Sequence, residues 1–254
     1  MKTTVIVGGS SGIGLALVQI LANTDIVNIS RTPCPTKNVK NLLADVTDAA
    51  ALEKAFGQIP EIDTLVYCAG TSLAAPIACV ERDDYRRLFE VNVLGAIECI
   101  RLAMKKLEKS GDGRILLLSS AAAVTPIPFD SFYDGAKAAL VQLAYALRLE
   151  APNIKTTAAI IGGVRTRFTF KRKVYTDCGE YDEALKSATS KLKNIEQHGD
   201  EASFVAQKLY EILQAKNPPP AKAIGIKNAL FVGLYRILPW RLKLFAVRKI
   251  FINS

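Results

Sequence analysis

Apolar residues along the chain follow two rhythms. Short, nearly continuous runs rich in β-branched residues predict strands buried on both faces: TTVIVGG at 3–9, DIVNIS at 25–30, TLVYCAG at 64–70, RILLLSS at 114–120 and TTAAIIGG at 156–163, with a weaker one in AKAIGI at 221–226. Between them, GIGLALVQILAN (12–23), ERDDYRRLFEVNVLGAIECIRLAMKKLEK (81–109) and FYDGAKAALVQLAYALRLEA (132–151) repeat apolar residues every three or four positions and predict helices. Strand and helix in alternation imply βαβ units, a parallel sheet and helices on both of its faces. No internal repeat is present, and NPPP at 217–220 reads as a rigid turn after a helix.

Composition narrows this picture. Half of the 254 residues are hydrophobic and 22% are charged, which excludes intrinsic disorder and allows a substantial core. The polar stretch at about 186–203 does not have the character of a linker, so one domain over 1–254 is expected. Five scattered cysteines without a CxxC pair, and a single histidine, point to no metal site and no disulfide framework, and fit a reducing cytoplasm. The apolar run after MKTT is too short for a signal segment, and clusters such as ALFVGLY fall short of the ~18–20 residues that span a bilayer.

Candidate chemistry begins where the first strand meets the first helix, at Gly8-Gly9-Ser10-Ser11-Gly12-Ile13-Gly14. Glycine there permits positive φ and lets the backbone approach a pyrophosphate at a helix N-terminus, whose free N–H groups and dipole favour an anion. The fold class is therefore a doubly wound α/β sheet of the Rossmann type that binds a dinucleotide. The second strand ends Ser30-Arg31-Thr32, with no carboxylate for a ribose 2′-hydroxyl. Arg31 can pair with a 2′-phosphate, and Ser30 and Thr32 can add hydroxyl donors, so NADP(H) is the expected cofactor. Asp25 stands at the opposite, N-terminal end of that strand and Asp45 ends the next, which makes both poorer candidates for the ribose.

These motifs resemble those of the short-chain dehydrogenase/reductase family, over about residues 1–215 and in the family's order. The glycine loop resembles TGxxxGxG, with Val7 in place of threonine. Asp45 and Val46 match the segment flanking the adenine. Cys68-Ala69-Gly70 resembles the NNAG motif, with Tyr67 and Cys68 replacing its asparagines. GGVRT at 162–166 resembles the loop beside the nicotinamide, with Gly162 for proline and Gly163, Val164 and Thr166 as cofactor contacts. These departures predict a modest cofactor affinity. By the same resemblance Asn92, Ser120, Tyr133 and Lys137 form the catalytic set, Ser120 being chosen over Ser119 by its thirteen-residue lead on the tyrosine.

Tyr133 and Lys137, four residues apart, share a helical face, where the ammonium would favour a phenolate. A phenol so assisted can exchange a proton with a carbonyl or alcohol oxygen. Ser120 would hydrogen-bond that oxygen. The resemblance adds that Tyr133 and Lys137 contact the cofactor, Lys137 through its ribose, and that Asn92 holds a water in a proton relay. The expected activity is hydride transfer between nicotinamide and a carbonyl or secondary alcohol. A regulatory dinucleotide-binding protein with little turnover is the alternative.

Residues from about 165 to 200 form, by resemblance, a lid over the substrate. RFTFKRKVY in that lid mixes aromatic and basic residues and reads either as attraction for an anionic substrate or as solvated charge. From Lys222 to the end no acidic residue occurs, and seven basic ones carry much of the formal +9. Trp240, Leu244, Val247 and Phe251 fall at helical spacing, with Arg241, Arg248 and Lys249 elsewhere on the wheel. This extension, 222–254, reads equally as a basic helix on an anionic membrane surface, giving a peripheral membrane contact, and as a segment packed on the cleft or another subunit. The charge is confined to one tail, so a nucleic-acid partner is not expected, and a homodimer or homotetramer is the expected assembly. The extension resembles the steroid- and retinol-active branch. It favours a hydrophobic ketone or alcohol as substrate, with a 3-oxoacyl thioester second.

Overall fold

A computed structural model describes residues 2–21 and 24–252. The end of the predicted GIGLALVQILAN segment (22–23) and the chain ends at 1 and 253–254 lie outside the described residues. Strands β1 (Thr3–Val7), β2 (Asp25–Ser30), β3 (Val39–Leu43), β4 (Thr64–Tyr67), β5 (Arg114–Ser120), β6 (Lys155–Ile161) and β7 (Ala221–Ala223) form one sheet. Their order is β3-β2-β1-β4-β5-β6-β7, and every pairing is parallel. The winding reverses between β1 and β4, so a crevice opens beyond their carboxyl ends. β3 is absent from the strands expected above because VKNLL is an edge strand with Lys40 and Leu43 in solvent, and it lacks a continuous apolar run.

The helices are α1 (Gly12–Ile20), α2 (Ala49–Gly57), α3 (Arg82–Phe89), α4 (Gly95–Lys109), α5 (Ser131–Glu150), α6 (Asp182–Gln197), α7 (Ala202–Gln214), α8 (Ile226–Ile237) and α9 (Trp240–Phe251). On one face of the sheet, Leu17 and Val18 of α1 and Val205, Leu209 and Ile212 of α7 bury against Ile6, Val66 and Leu116. On the other, Leu52 and Phe56 of α2, Ile100 and Leu107 of α4 and Leu140 and Leu147 of α5 bury against Val5, Leu65, Ile115 and Leu117. Each such side chain contributes about 1.5–3 kcal/mol of burial, so the strand ends with the candidate residues project from a sheet clamped between two cores.

Residues 164–201 fold back over the crevice. Val164–Arg165 pairs parallel with Asp200–Glu201 at the base of this flap, and α6 forms most of its body. α8 and α9 then close over it: Tyr235, Val247 and Phe251 pack with Ala188 and Leu192 of α6 and against Val124, Ile127 and Phe129. Among the described residues no helix is long and apolar enough to cross a membrane.

Candidate active site

The glycine loop is built for close backbone approach. Gly8 has φ 90°, and a Cβ there would lie 2.8 Å from the Ala69 backbone nitrogen, so the loop after β1 and the Cys68–Gly70 segment after β4 are packed back to back. A Cβ on Gly14 would overlap the Gly8 carbonyl oxygen. α1 thus starts against the strand, with no acidic residue in its first turn and no side-chain cap from Ser11. Its first N–H groups have no intrahelical acceptor. Ser11 and Gly12 are exposed and Ser10 and Ile13 half-buried, and Gly12 faces Thr166, whose Cγ2 lies 3.8 Å from a Cβ built on Gly12. A cradle of bare backbone and unpaired donors, closed by Thr166, fits the phosphates of a dinucleotide.

Asn28, inside β2, anchors this loop. It is fully buried; its Oδ1 accepts from Gly9 N–H at 2.9 Å, and its Nδ2 donates to Ser30 Oγ (2.9 Å) and Asn41 Oδ1 (2.8 Å). Ser30 in turn donates to the Thr32 carbonyl at 2.5 Å. In this structure the Ser30 proton serves the turn. Arg31 is exposed, and Thr32 donates to Ser10 Oγ at 3.1 Å. Asp45 is held by Arg87 at 2.7 Å and by Thr47. Burial alone would raise its carboxyl, but these partners hold it below the ordinary range. Val46 packs on Gly95, where a Cβ would meet its Cβ at 3.0 Å.

The helix expected over 81–109 is interrupted by a π turn at Glu90–Leu94. Gly95 N–H reaches back five residues to the Glu90 carbonyl, while the Val91 carbonyl accepts from the buried Tyr67 hydroxyl. The widened turn seats Asn92 in full burial, its Oδ1 accepting from Thr71 N–H and its Nδ2 donating to the Thr71 carbonyl, both at 2.8 Å. Asn92 therefore clasps the segment following Gly70, and both ends of its side chain are engaged there. Tyr67, at a position where the family has asparagine, buttresses the turn.

Two adjacent serines end β5 with opposite roles. Ser119 is buried and donates to the Lys137 carbonyl at 2.8 Å, fixing α5 against the sheet. Ser120 accepts from Ala122 N–H at 3.2 Å and stands beside the Tyr133 hydroxyl, whose phenol it draws down. Lys137 is buried, donates to the Leu118 carbonyl at 2.8 Å and lies 5.5 Å from the Tyr133 ring centroid. Burial brings its ammonium down to about 8, with the Cys68 thiol pulling the other way. The Tyr133 phenol is pushed up, chiefly by burial and then by the Asp130 carboxyl, against the pull of the neighbouring Ser120 hydroxyl; Glu196 adds to the rise and Arg172 opposes it. Lys137 is not among the influences on the phenol, and its ammonium donates to the Leu118 carbonyl. Tyr133 is held neutral.

Phe168 of the flap lies over Tyr133, ring centroids 6.0 Å apart. Behind it, Arg172 forms a buried ion pair with Glu196 at 2.6 Å and donates to Ser72 Oγ at 3.0 Å. Lys173 pairs with Asp84, and Arg165 with Glu201. Of the four basic residues in RFTFKRKVY, Arg172 and Lys173 are paired with carboxylates within the protein, whereas Arg167 and Lys171 are exposed. Asp130, at the head of α5, is 1% exposed; it does not cap the helix, and neither of its oxygens has a partner in hydrogen-bonding geometry. Burial, the largest influence, raises it to about 7.

Gly163 and Gly199 form the base of the flap. A Cβ on Gly199 would overlap the Gly163 carbonyl, one on Gly163 would lie 2.7 Å from the Ile195 carbonyl, and Asp200 N–H donates to Gly163 at 2.9 Å. Val164 is buried beside this contact. At Gly162 the space of a side chain is taken by Asn228 of α8, which donates to the Ile160 carbonyl at 2.8 Å. Sequence reasoning missed Asn28, Asp130, Phe168 and Arg172. Asn28 left a signal, as the one amide in an otherwise apolar strand interior, and Asp130 lies just three residues before Tyr133 at the start of the same helix; Phe168 and Arg172 are brought to the site by tertiary packing.

A family model described as short chain dehydrogenase matches residues 2–177. A 3-ketodihydrosphingosine reductase of Bacteroides thetaiotaomicron is 26% identical over 96% of this chain and 95% of its own. A short-chain dehydrogenase from Streptomyces avermitilis superposes with a TM-score of 0.82 at 22% identity, covering 98% of this chain and 97% of that one. An alcohol dehydrogenase from Thermococcus sibiricus, complexed with 5-hydroxy-NADP, gives a TM-score of 0.73 at 19% identity over 88% of this chain and 95% of that one.

Proposed function

Because the chain belongs to the short-chain dehydrogenase/reductase family, whose members use nicotinamide dinucleotides, we propose that it is an NADP(H)-dependent reductase of a hydrophobic, lipid-like ketone. The observation that carries this reading is the meeting of Ser120, at the end of β5, with Tyr133 and buried Lys137 of α5, beside the strand end that presents the glycine cradle. Exposed Arg31, with no carboxylate at the end of β2, supports NADP(H) over NAD(H). The name of the Bacteroides relative supports a long-chain ketone.

When bound, the dinucleotide supplies the hydride. Gly8, Ser10, Ser11, Gly12, Ile13 and Gly14 would hold its pyrophosphate, Asp45, Val46, Cys68, Ala69 and Gly70 would flank the adenosine half and its ribose, and Gly163, Val164 and Thr166 would flank the nicotinamide. Ser120 donates a hydrogen bond to the substrate carbonyl oxygen and fixes its position. The neutral Tyr133 hydroxyl passes its proton to that same oxygen as the carbonyl carbon is reduced, giving the alcohol and a phenolate that is reprotonated from solvent. Burial, Asp130 and Glu196 keep the phenol protonated beforehand, which suits the direction of reduction. Lys137 offsets the phenolate once it forms, and Asn92 fixes the wall of the site through Thr71.

Tyr133→Phe removes the proton donor and leaves the cradle intact. The expected result is a fall in kcat of about 10³-fold in NADPH oxidation with a long-chain 3-ketone, with NADPH affinity unchanged by fluorescence titration. Near-normal turnover in that variant rejects the assignment.

A further inference from the structure

α8 is apolar on both sides. Its inward face carries Asn228, Val232 and Tyr235 at four- and three-residue spacing, with Val232 and Tyr235 buried. Ile226, Leu230, Leu234 and Ile237 each stand two residues from one of these, which at ~3.6 residues per turn places them on the opposite face. They are 81%, 69%, 58% and 80% exposed. An ordinary surface helix is polar on that side. The apolar surface continues through Trp240 (66% exposed), Leu242 and Phe245 of α9. The structure also divides the α9 stripe read from the sequence: Val247 and Phe251 are buried on α6, whereas Trp240 and Leu244 remain in solvent.

Charge identifies the occupant. Arg236, Arg241, Arg248 and Lys249 are exposed around this surface, and the Arg241 guanidinium lies over the Trp240 ring at 5.4 Å. No carboxylate occurs from Lys222 onward. A second copy docking this face on itself would bring like charges together with no acid from the segment to offset them. An anionic lipid surface satisfies both features at once, taking the apolar side chains below its headgroups and the guanidinium and ammonium groups among them. Each helix has 12 residues, ~18 Å long against ~30 Å of hydrocarbon, so the pair can lie in the interface but cannot span it.

We propose that α8 and α9 form a docking surface by which the protein binds, in the plane of the interface, to membranes containing anionic lipid. The proposal rests on the tail alone and stands or falls independently of the catalytic reading. Trp240 is the only tryptophan in the chain and so reports the event directly. With the full-length protein, vesicles of phosphatidylcholine plus phosphatidylserine should blue-shift its fluorescence and co-sediment the protein, vesicles of phosphatidylcholine alone far less. Raising salt from ~0.1 to ~1 M, which shortens the Debye length from ~10 to ~3 Å, should weaken binding. Leu230→Ser/Leu234→Ser/Ile237→Ser, all at outward positions, should reduce vesicle affinity roughly 100-fold with an unchanged melting temperature and turnover. Should that variant fold poorly, Arg241→Gln/Lys249→Gln should lower binding to the anionic vesicles at least tenfold. No fluorescence shift and no co-sedimentation with anionic vesicles would overturn the proposal. So would a concentration-dependent dimer that the triple variant dissolves in the absence of vesicle binding, which would assign the face to a second copy.

Discussion

Asp130→Asn should stabilise the protein increasingly as pH rises. Asp130 is buried, lacks a hydrogen-bonding partner for either oxygen, and is raised from 3.8 to about 7, by burial first; Arg172 pulls it down, Glu196 pushes it up and Ser72 opposes slightly. Below about pH 4 the carboxyl is protonated in both folded and unfolded chains and contributes nothing to pH dependence. Between about pH 4 and 7 the unfolded chain ionises alone, so stability falls. Above about 7 both states are ionised and the penalty is constant. At about 1.36 kcal/mol per pH unit, the penalty is about 1–2 kcal/mol at pH 5 and about 4 kcal/mol at pH 9. The asparagine does not titrate, so the stability difference between variant and wild type should widen by about 2–3 kcal/mol over that range. Asp134, raised to about 8 largely by burial, titrates in both proteins and cancels apart from its coupling to Asp130. Urea unfolding in buffers from about pH 5 to 9 measures the difference directly. Stability curves that run parallel across this range would refute the reasoning, because they would mean that Asp130 ionises in the folded protein as it does in the unfolded chain.

Two further outcomes test the nucleotide cradle. Arg31→Asp replaces a charge-assisted donor worth about 1.5–3 kcal/mol with a carboxylate. It should raise the KM for NADPH about 10- to 100-fold while improving use of NADH, and an unchanged coenzyme preference would exclude Arg31 from the 2′-phosphate site. Gly14→Ala places a methyl group into the Gly8 carbonyl, with Gly9 Cα 3.2 Å away. Nucleotide affinity by titration should fall more than tenfold, and wild-type affinity would show that the loop can yield.

What could be read from the sequence was what local pattern encodes. Strands β1, β2, β5 and β6 announce themselves because parallel strands covered on both faces must be apolar nearly throughout. β3, an edge strand, carries Lys40 and Asn41 and gives no such run. The serine–tyrosine–lysine set was legible from spacing and resemblance, but the electrostatic balance at Tyr133 was not. Asp130 stands only three residues before Tyr133, but the Arg172–Glu196 pair reaches it from a flap more than thirty residues downstream in sequence, and the carbonyl to which Lys137 donates belongs to β5. In the tail, periodicity detected an amphipathic helix. Which apolar residues it buries and which it presents was decided by α6, an element that the periodicity of α9 cannot reveal.

The contact between Gly163 and Gly199 makes the flap and the candidate cofactor loop a single mechanical part. Backbone lies on backbone there, without a side chain to act as a spacer, and the Asp200 N–H bond fastens the two. The flap is therefore tied at its base to the 163–166 loop, so a ligand that steadied that loop would steady the flap by the same free energy. Under the nucleotide assignment proposed above, occupancy and closure would be two readings of one equilibrium.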